Sequence, residues 1–204
     1  MTRRYHSPLR DRQAAETRTL VLEALADLVT ERSSTEFSVQ EVADRAQVSL
    51  RTIYRYFPNR QALLDGLTDL VDARMDDLRT DPEVGWEDLR DRDLEGLLAT
   101  VPAVFERFDQ LEPLSSAMAL LSAGENQRAR GHDERTEMFR EVLTEDLAHL
   151  SPEEKAGAFA VVRHLISSTT WFVLREEHGL DGREAGEAVA RAVRAIIRAA
   201  PSDS

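Results

Sequence analysis

Cysteine is absent from this 204-residue chain, which excludes a disulfide framework, thiolate-bound zinc, iron–sulfur clusters and a thiol nucleophile. Lysine is nearly absent as well. Of 26 basic residues only Lys155 is lysine, a skew that, with abundant Ala and Asp, reads as a GC-rich genome rather than as a function. No stretch of 18 uncharged apolar residues occurs, so no transmembrane helix is expected. The basic start Met1–Pro8 has no apolar run behind it, so it is not a signal peptide. These absences point to a soluble, cytoplasmic protein that needs no membrane. Catalytic signatures are missing too. The five histidines (6, 132, 149, 164, 178) show no i, i+4 pair and no HExxH pattern. There is no GxSxG, no Gly-rich phosphate loop and no GxGxxG, and Asp76-Asp77, Asp91-Arg92-Asp93 and Glu176-Glu177 read as solvated helix faces. The expectation is a non-enzyme without metal or cofactor.

What is present is charge of uneven distribution and helical periodicity. The net charge of −12 argues at first against a nucleic-acid partner. Residues 1–60, however, carry ten Arg and eight acids, a net of +2, and the remainder a net of −14. A polyanion would be repelled by the second part and could approach only the first. Apolar residues recur at helical spacing nearly throughout and no run alternates with period two, so the fold class is all-α, with about nine helices. Helices are expected at about 11–32, from Val39, from Ser49, and at 60–79, 86–110, 113–123, 127–149, 152–178 and 183–200, with Thr80–Gly85 as a linker. Ser38 with Glu41, Ser151 with Pro152 and Glu154, and Asp181 with Glu184 carry the signature of helix N-caps, and His178-Gly179 of a helix end.

Between Ser38 and Arg60, two short helices meet through a turn of three or four residues, held by Val42, Ala43, Val48 and Ile53. With Val48, Ile53 and Phe57 inward, the second helix presents Ser49, Leu50, Arg51, Thr52, Arg55 and Tyr56 outward. No acidic residue stands anywhere from Ala46 to Leu64. Such a helix can enter a DNA major groove, where Arg51 pairs with guanine and Ser or Thr bonds several base edges. Tyr54, Tyr56 and Arg60 then reach phosphates, which fix register without reading sequence. A plain helical hairpin with a solvated basic face is the simpler alternative. Arg3, Arg4, Arg10 and Arg12 read either as a flexible arm toward the minor groove or phosphates, or as a disordered charged terminus.

The stretch from about Thr17 to Leu67 resembles the DNA-binding domain of the tetracycline-repressor (TetR) family. It does so through V-x-x-V-A-x-x-A in the second helix, V-S-x-x-T-I-Y-x-Y-F in the third and P-N-R-Q-A-L-L opening the fourth. The resemblance implies an N-terminal three-helix domain over 1–60 and a helical regulatory and dimerisation domain over 61–204. It also implies a symmetric homodimer on a two-fold operator in double-stranded DNA, and a small-molecule effector that controls DNA affinity. By the same resemblance the helix from Ser49 to Tyr56 reads bases, Arg60 stands at a phosphate-binding position, and Gln40 lies where some members touch a base; Ser38, beside it, is a further DNA-binding candidate. The family commonly has glycine where this chain has Gln47 and Ser33; if the turn needs a positive φ at Gln47, a non-glycine residue there costs about 1 kcal/mol.

The last expected helix confines Glu184, Glu187, Arg191, Arg194 and Arg198 to one stripe and is otherwise apolar or small. With Ser168, Trp171 and Phe172 on the preceding helix and Val189, Val193 and Ile196 on the last, a four-helix dimer interface is expected; burial within one monomer is the alternative. Trp86, Phe105, Phe108, Met118, Phe139 and His164 are candidates to line a cavity for an apolar or planar ligand, or else are plain core. The function expected is a ligand-responsive regulator, most simply a repressor released by a small molecule. The alternative is a small-molecule binding protein with a vestigial helix-turn-helix.

Overall fold

Short polar side chains set where the helices begin. The computed structural model describes residues 8–79, 93–122 and 132–199, and within them every regular element is a helix. In chain order these are α1 (Pro8–Arg32), α2 (Val39–Arg45), α3 (Leu50–Tyr56), α4 (Arg60–Arg79), α5 (Leu94–Gln110), α6 (Leu114–Ser122), α7 (His132–Leu143), α8 (Pro152–Leu165), α9 (Ser168–His178) and α10 (Gly182–Ala199). Ser38 and Ser151 each accept the N–H of the residue three positions on, while Glu41 and Glu154 reach back to the serine N–H. Asp181 and Glu184 make the same reciprocal pair before α10. Gly179 closes α9 in the left-handed conformation, at φ 67°. No single described helix is long and apolar enough to cross a membrane.

One expected helix, 152–178, is two. The chain breaks at Ile166–Ser167 and α9 leaves at 57° to α8. Ser167 accepts the Thr170 N–H as an N-cap, and the Thr170 hydroxyl donates to the His164 carbonyl. A run of Ser and Thr offers the backbone local hydrogen bonds that compete with helix continuation, so the segment caps instead of packing. The proposed linker Thr80–Gly85 and the start expected near residue 86 lie outside the described residues.

The N-terminal part closes around Val21, Leu25 and Val29 of α1, Val42 and Ala43 of α2, Ile53 and Phe57 across α3, and Leu63 and Leu67 of α4. Each large apolar side chain buried this way contributes roughly 1.5–3 kcal/mol, which fixes α2 and α3 on the α1–α4 pair despite their seven residues each. In the C-terminal part α10 lies directly on α5. A Cβ on Gly182 would come within 2.2 Å of the Phe105 carbonyl oxygen, and one on Gly186 within 2.5 Å of the Pro102 Cα, so only glycine permits this approach. Helix α6 joins the two parts by packing against α1 and α4. At that joint the Thr30 hydroxyl donates to the Pro113 carbonyl at 3.1 Å.

Candidate nucleic-acid interface

The α2–α3 unit is a helix-turn-helix whose turn depends on one residue of unusual conformation. Gln47 sits at φ 54°, in the left-handed region, and lets Val48 N–H reach back to the Ala43 carbonyl at 3.0 Å. Ser33 does the same at the end of α1, at φ 47°, with Ser34 N–H returning to the Val29 carbonyl at 3.1 Å. Both positions are those where glycine is missing from the pattern of the resemblance, so the chain pays side-chain crowding at two turns.

Helix α3 starts at Ser49, whose hydroxyl accepts the Thr52 N–H at 3.1 Å and lies 2.9 Å from the Thr52 hydroxyl. Ile53 and Phe57 point into the core, which turns Ser49, Arg51, Tyr54 and Arg55 to solvent; Tyr54 is half exposed, at 50 %. Leu50 and Tyr56, expected on the outward face, are instead half-buried and pack against the core. The reason is the helix angle: residues three before and three after Ile53 flank the buried stripe rather than oppose it. Ser38, Gln40 and Arg60 are exposed and Thr52 half-buried.

The arginines divide into two groups. Arg32 bonds Glu41 at 2.5 Å, and Arg45 pairs with Glu31 and Asp27 on α1. The Arg32 hydrogen bond, backed by the Ser38 N–H and hydroxyl, holds the Glu41 carboxyl down to about 2 from its ordinary 4.5. These cations are spent on structure. Arg51, Arg55 and Arg60 make no ion pair among the described residues. The Arg55 guanidinium lies 4.4 Å from the centre of the Tyr56 ring and donates to its hydroxyl. Arg60 stacks over Phe37 at 4.5 Å and donates to the Thr35 carbonyl at 2.5 Å, so its reach is fixed while its charge remains open. What these groups can do chemically is donate hydrogen bonds to an anionic or acceptor-rich partner.

Sequence reasoning missed a neighbouring surface. Helix α1 begins at Pro8, three residues before the expected start, so Arg10 and Arg12 are helical rather than part of an arm; Arg3 and Arg4 lie outside the described residues. Proline followed by an acid in the first turn was the signal for that start. The face gained by the longer α1 adjoins the end of α3, where Arg10, Gln13 and Thr17 form a groove with Arg55 and Tyr56.

The residues expected to line a cavity do not form one group. Phe105 and Phe108 are buried and continue into Trp171, with ring centres 5.8 and 5.4 Å apart. Phe139 is buried separately under the Arg163 guanidinium at 5.1 Å. Met118 is half-buried, His164 is exposed, and Trp86 lies outside the described residues. The expected dimer set also needs correction. Trp171 is fully buried and donates its indole N–H to Asp109 at 2.9 Å, while Val189 and Val193 belong to the protomer's own core. The wide apolar face of α10 is taken up by α5. Ser168, Phe172 and Ile196 remain half-buried at the surface.

Residues 21–67 match the family model for bacterial regulatory proteins of the tetR family. The whole fold is similar to two solved structures of NalD, the secondary repressor of the MexAB-OprM multidrug efflux pump in Pseudomonas aeruginosa. One match has a TM-score of 0.55 at 18 % identity, covering 89 % of this chain and 96 % of that one. The other has a TM-score of 0.57 at 19 % identity, covering 90 % and 96 %. No curated protein matches the chain. The helix-turn-helix over α2 and α3 lies within the stretch 21–67 that matches the tetR-family model, and the all-helical fold around it is similar to that of the NalD structures.

Proposed function

We propose that the protein is a ligand-responsive transcriptional regulator, a repressor that a small molecule releases from its operator. The observation that carries this reading is the exposed, acid-free face of α3, with Arg51, which makes no ion pair among the described residues, at the turn that would enter a major groove. Arg51, Thr52 and Ser49, with Gln40 at the start of α2, would contact base edges; Tyr54, Arg55, Tyr56 and Arg60, with Ser38, would hold the flanking phosphates. An intact donor face of this kind speaks against a binding protein that has outgrown its helix-turn-helix. The division of labour runs between residues 1–60 and 61–204, with α4 bridging the two.

A homodimer suits the reading, because a lone recognition helix touches too few base pairs and two copies span half-sites roughly 34–36 Å apart. Its support moves from α10 to α8. There Ala156, Gly157, Ala160 and Val161 are exposed together, and Val161 (48 %) and Val173 of α9 (37 %) are large apolar residues left in solvent. Small and apolar residues on one helix face suit close packing against a second copy. Effector control is supported by the α5–α6 corner. Glu112 there accepts from Ser116 and pairs with Arg175 of α9, while the next carbonyl holds Thr30 of α1. A ligand that displaced α6 would move α1, and a coupling of about 1–3 kcal/mol suffices to change operator occupancy.

The test is selection of duplexes from random sequence by the purified protein, followed by a salt titration on the selected duplex. A two-fold sequence and a log–log slope near −0.9 for each phosphate neutralised are expected. Arg51→Ala should relax the selected sequence and Arg60→Ala should weaken all duplexes alike. Failure to enrich any sequence at low ionic strength overturns the reading.

A further inference from the structure

Helix α2 buries Val42 and Ala43 and divides its polar residues between two flanks. Glu41 and Arg45 are held toward α1, the first by Arg32 and the second by Glu31 and Asp27. Gln40 and Asp44, four apart and both exposed, share the flank away from α1. There the Gln40 Nε2 donates to the Asp44 Oδ1 at 2.7 Å. Asp44 makes no ion pair among the described residues, so an amide rather than a guanidinium engages its carboxylate.

A glutamine amide carries one carbonyl acceptor and two N–H donors, and turning it over exchanges its two ends. With only water around it, neither orientation is strongly preferred. Beside Asp44 the two differ. Turned over, the Gln40 carbonyl oxygen would face the carboxylate, two acceptors with no proton between them. The bond to Asp44 therefore fixes which way round the amide stands. It uses one N–H and leaves the carbonyl and the second N–H for an outside partner.

In a major groove, one acceptor beside one donor complements adenine, whose N6 amino group donates and whose N7 accepts. Guanine presents two acceptors, O6 and N7, and would set O6 against the Gln40 carbonyl. An amide at liberty to turn can bring its NH2 group to both; a held one cannot. Cytosine offers only a donor and thymine only an acceptor, so neither meets both groups.

We infer that Asp44 is a positioning residue for base recognition, holding Gln40 in the orientation that accepts adenine and rejects guanine. The inference rests on the reading of Gln40 as a base contact. Asp44 itself touches no base. Its charge, set beside a polyanion, weakens binding to every duplex alike, an effect separable from orientation. Arg51 on α3, whose guanidinium only donates, favours guanine by the same rule, so the two helices read opposite purines.

The experiment uses the full chain as wild type, Gln40→Ala, Asp44→Ala, Asp44→Glu and the double variant Gln40→Ala with Asp44→Ala. Both positions are exposed and outside the core. Each protein selects duplexes from random sequence, and the position whose preference disappears with Gln40→Ala is the one Gln40 reads. The wild type is expected to select adenine there, over guanine by about tenfold or more. Asp44→Ala should cut that preference by roughly two- to tenfold, the range from an exposed side-chain pair to a hydrogen bond with a charged group. Preferences elsewhere in the selected sequence should stay as they were. Asp44→Glu keeps an acceptor within reach and should restore adenine. In the Gln40→Ala background, removing Asp44 should change affinity but no base preference. In the free protein, nitrogen-15 NMR should show one Gln40 side-chain N–H proton displaced from its partner, and Asp44→Ala should bring the two together.

An unchanged adenine preference in Asp44→Ala overturns the inference, as does any other base at the Gln40 position. A preference that Asp44→Ala alters equally without Gln40 also overturns it, because the carboxylate would then read the base directly. If Gln40→Ala changes no position, the inference fails while wild-type enrichment of a sequence keeps the regulator reading intact. If the wild type enriches nothing, both fall together.

Discussion

Replacing Gln47 with glycine should stabilise the protein, although it removes a side chain and adds freedom to the unfolded chain. Gln47 holds φ 54° and is exposed, so its side chain is crowded by its own backbone without gaining buried contacts in return. Holding an L-residue in this conformation costs about 1–2 kcal/mol. Glycine returns that amount but loses about 0.4–1 kcal/mol through its larger unfolded entropy. The net expectation is a gain of roughly 0.5–1 kcal/mol, or a thermal midpoint higher by about 1–4 °C for a chain of this size. Urea unfolding followed by far-ultraviolet circular dichroism measures it, with Ala99→Gly as the counterpart. Ala99 is exposed within α5, where glycine should cost about 1 kcal/mol. Gln47→Val should lie below the parent, since a branched side chain tolerates this conformation least. Ser33→Gly, at φ 47°, should repeat the gain. A Gln47→Gly protein that falls with Ala99→Gly would refute the assignment of strain to the turn.

Gly186→Ala places a Cβ within 2.5 Å of the Pro102 Cα, a backbone atom that cannot swing aside, so α10 must lift from α5. The expected loss is about 1–3 kcal/mol in the same urea assay, and an unchanged midpoint would show that the crossing is looser than described. Glu41 should titrate near 2 by NMR, against an ordinary 4.5. Because its folded value is lowered, its contribution to stability is complete above about 4.5 and disappears as the pH falls through about 2. Arg32→Ala should raise the Glu41 titration toward its ordinary range, with the Ser38 N–H and hydroxyl still holding it below; a midpoint unmoved near 2 would place the whole cause in the Ser38 cap.

The parts of the fold legible in the sequence are those decided by neighbours in the chain. Ser38, Ser151 and Asp181 could be read as caps because the residue that completes each box stands three positions on. The inward stripe Val42, Ala43, Ile53 and Phe57 was legible for the same local reason. Local pattern was silent about partners. The apolar breadth of α10 says that much of it is covered, but not whether by α5 or by another molecule. The distinguishing signal was Gly182 and Gly186 four apart, a spacing that lets one backbone approach another. Likewise the periodicity runs 152–178 as one helix, and only the hydrogen bonds of Thr170 show that one helix ends and the next starts at Ile166–Ser167. Leu50 and Tyr56 lie at the edge of a stripe, where a shift of some tens of degrees separates outward from half-buried.

Net charge is the coarser guide to this surface; pairing is the finer one. In a chain of −12, three acids near the helix-turn-helix are engaged with particular arginines. Glu31, Asp27 and Glu41 neutralise Arg45 and Arg32 on the side of α2 turned toward α1, away from the exposed row on α3. That leaves Arg51, Arg55 and Arg60 in a stretch without acids from Ala46 to Leu64. At physiological ionic strength a charge is screened beyond about 8 Å, so the −14 of residues 61–204 acts weakly on anything held against α3. At low ionic strength the same acids repel a polyanion over a longer range, opposing the local attraction. Distribution and pairing, rather than the sum, therefore decide what an acidic protein of this construction can hold.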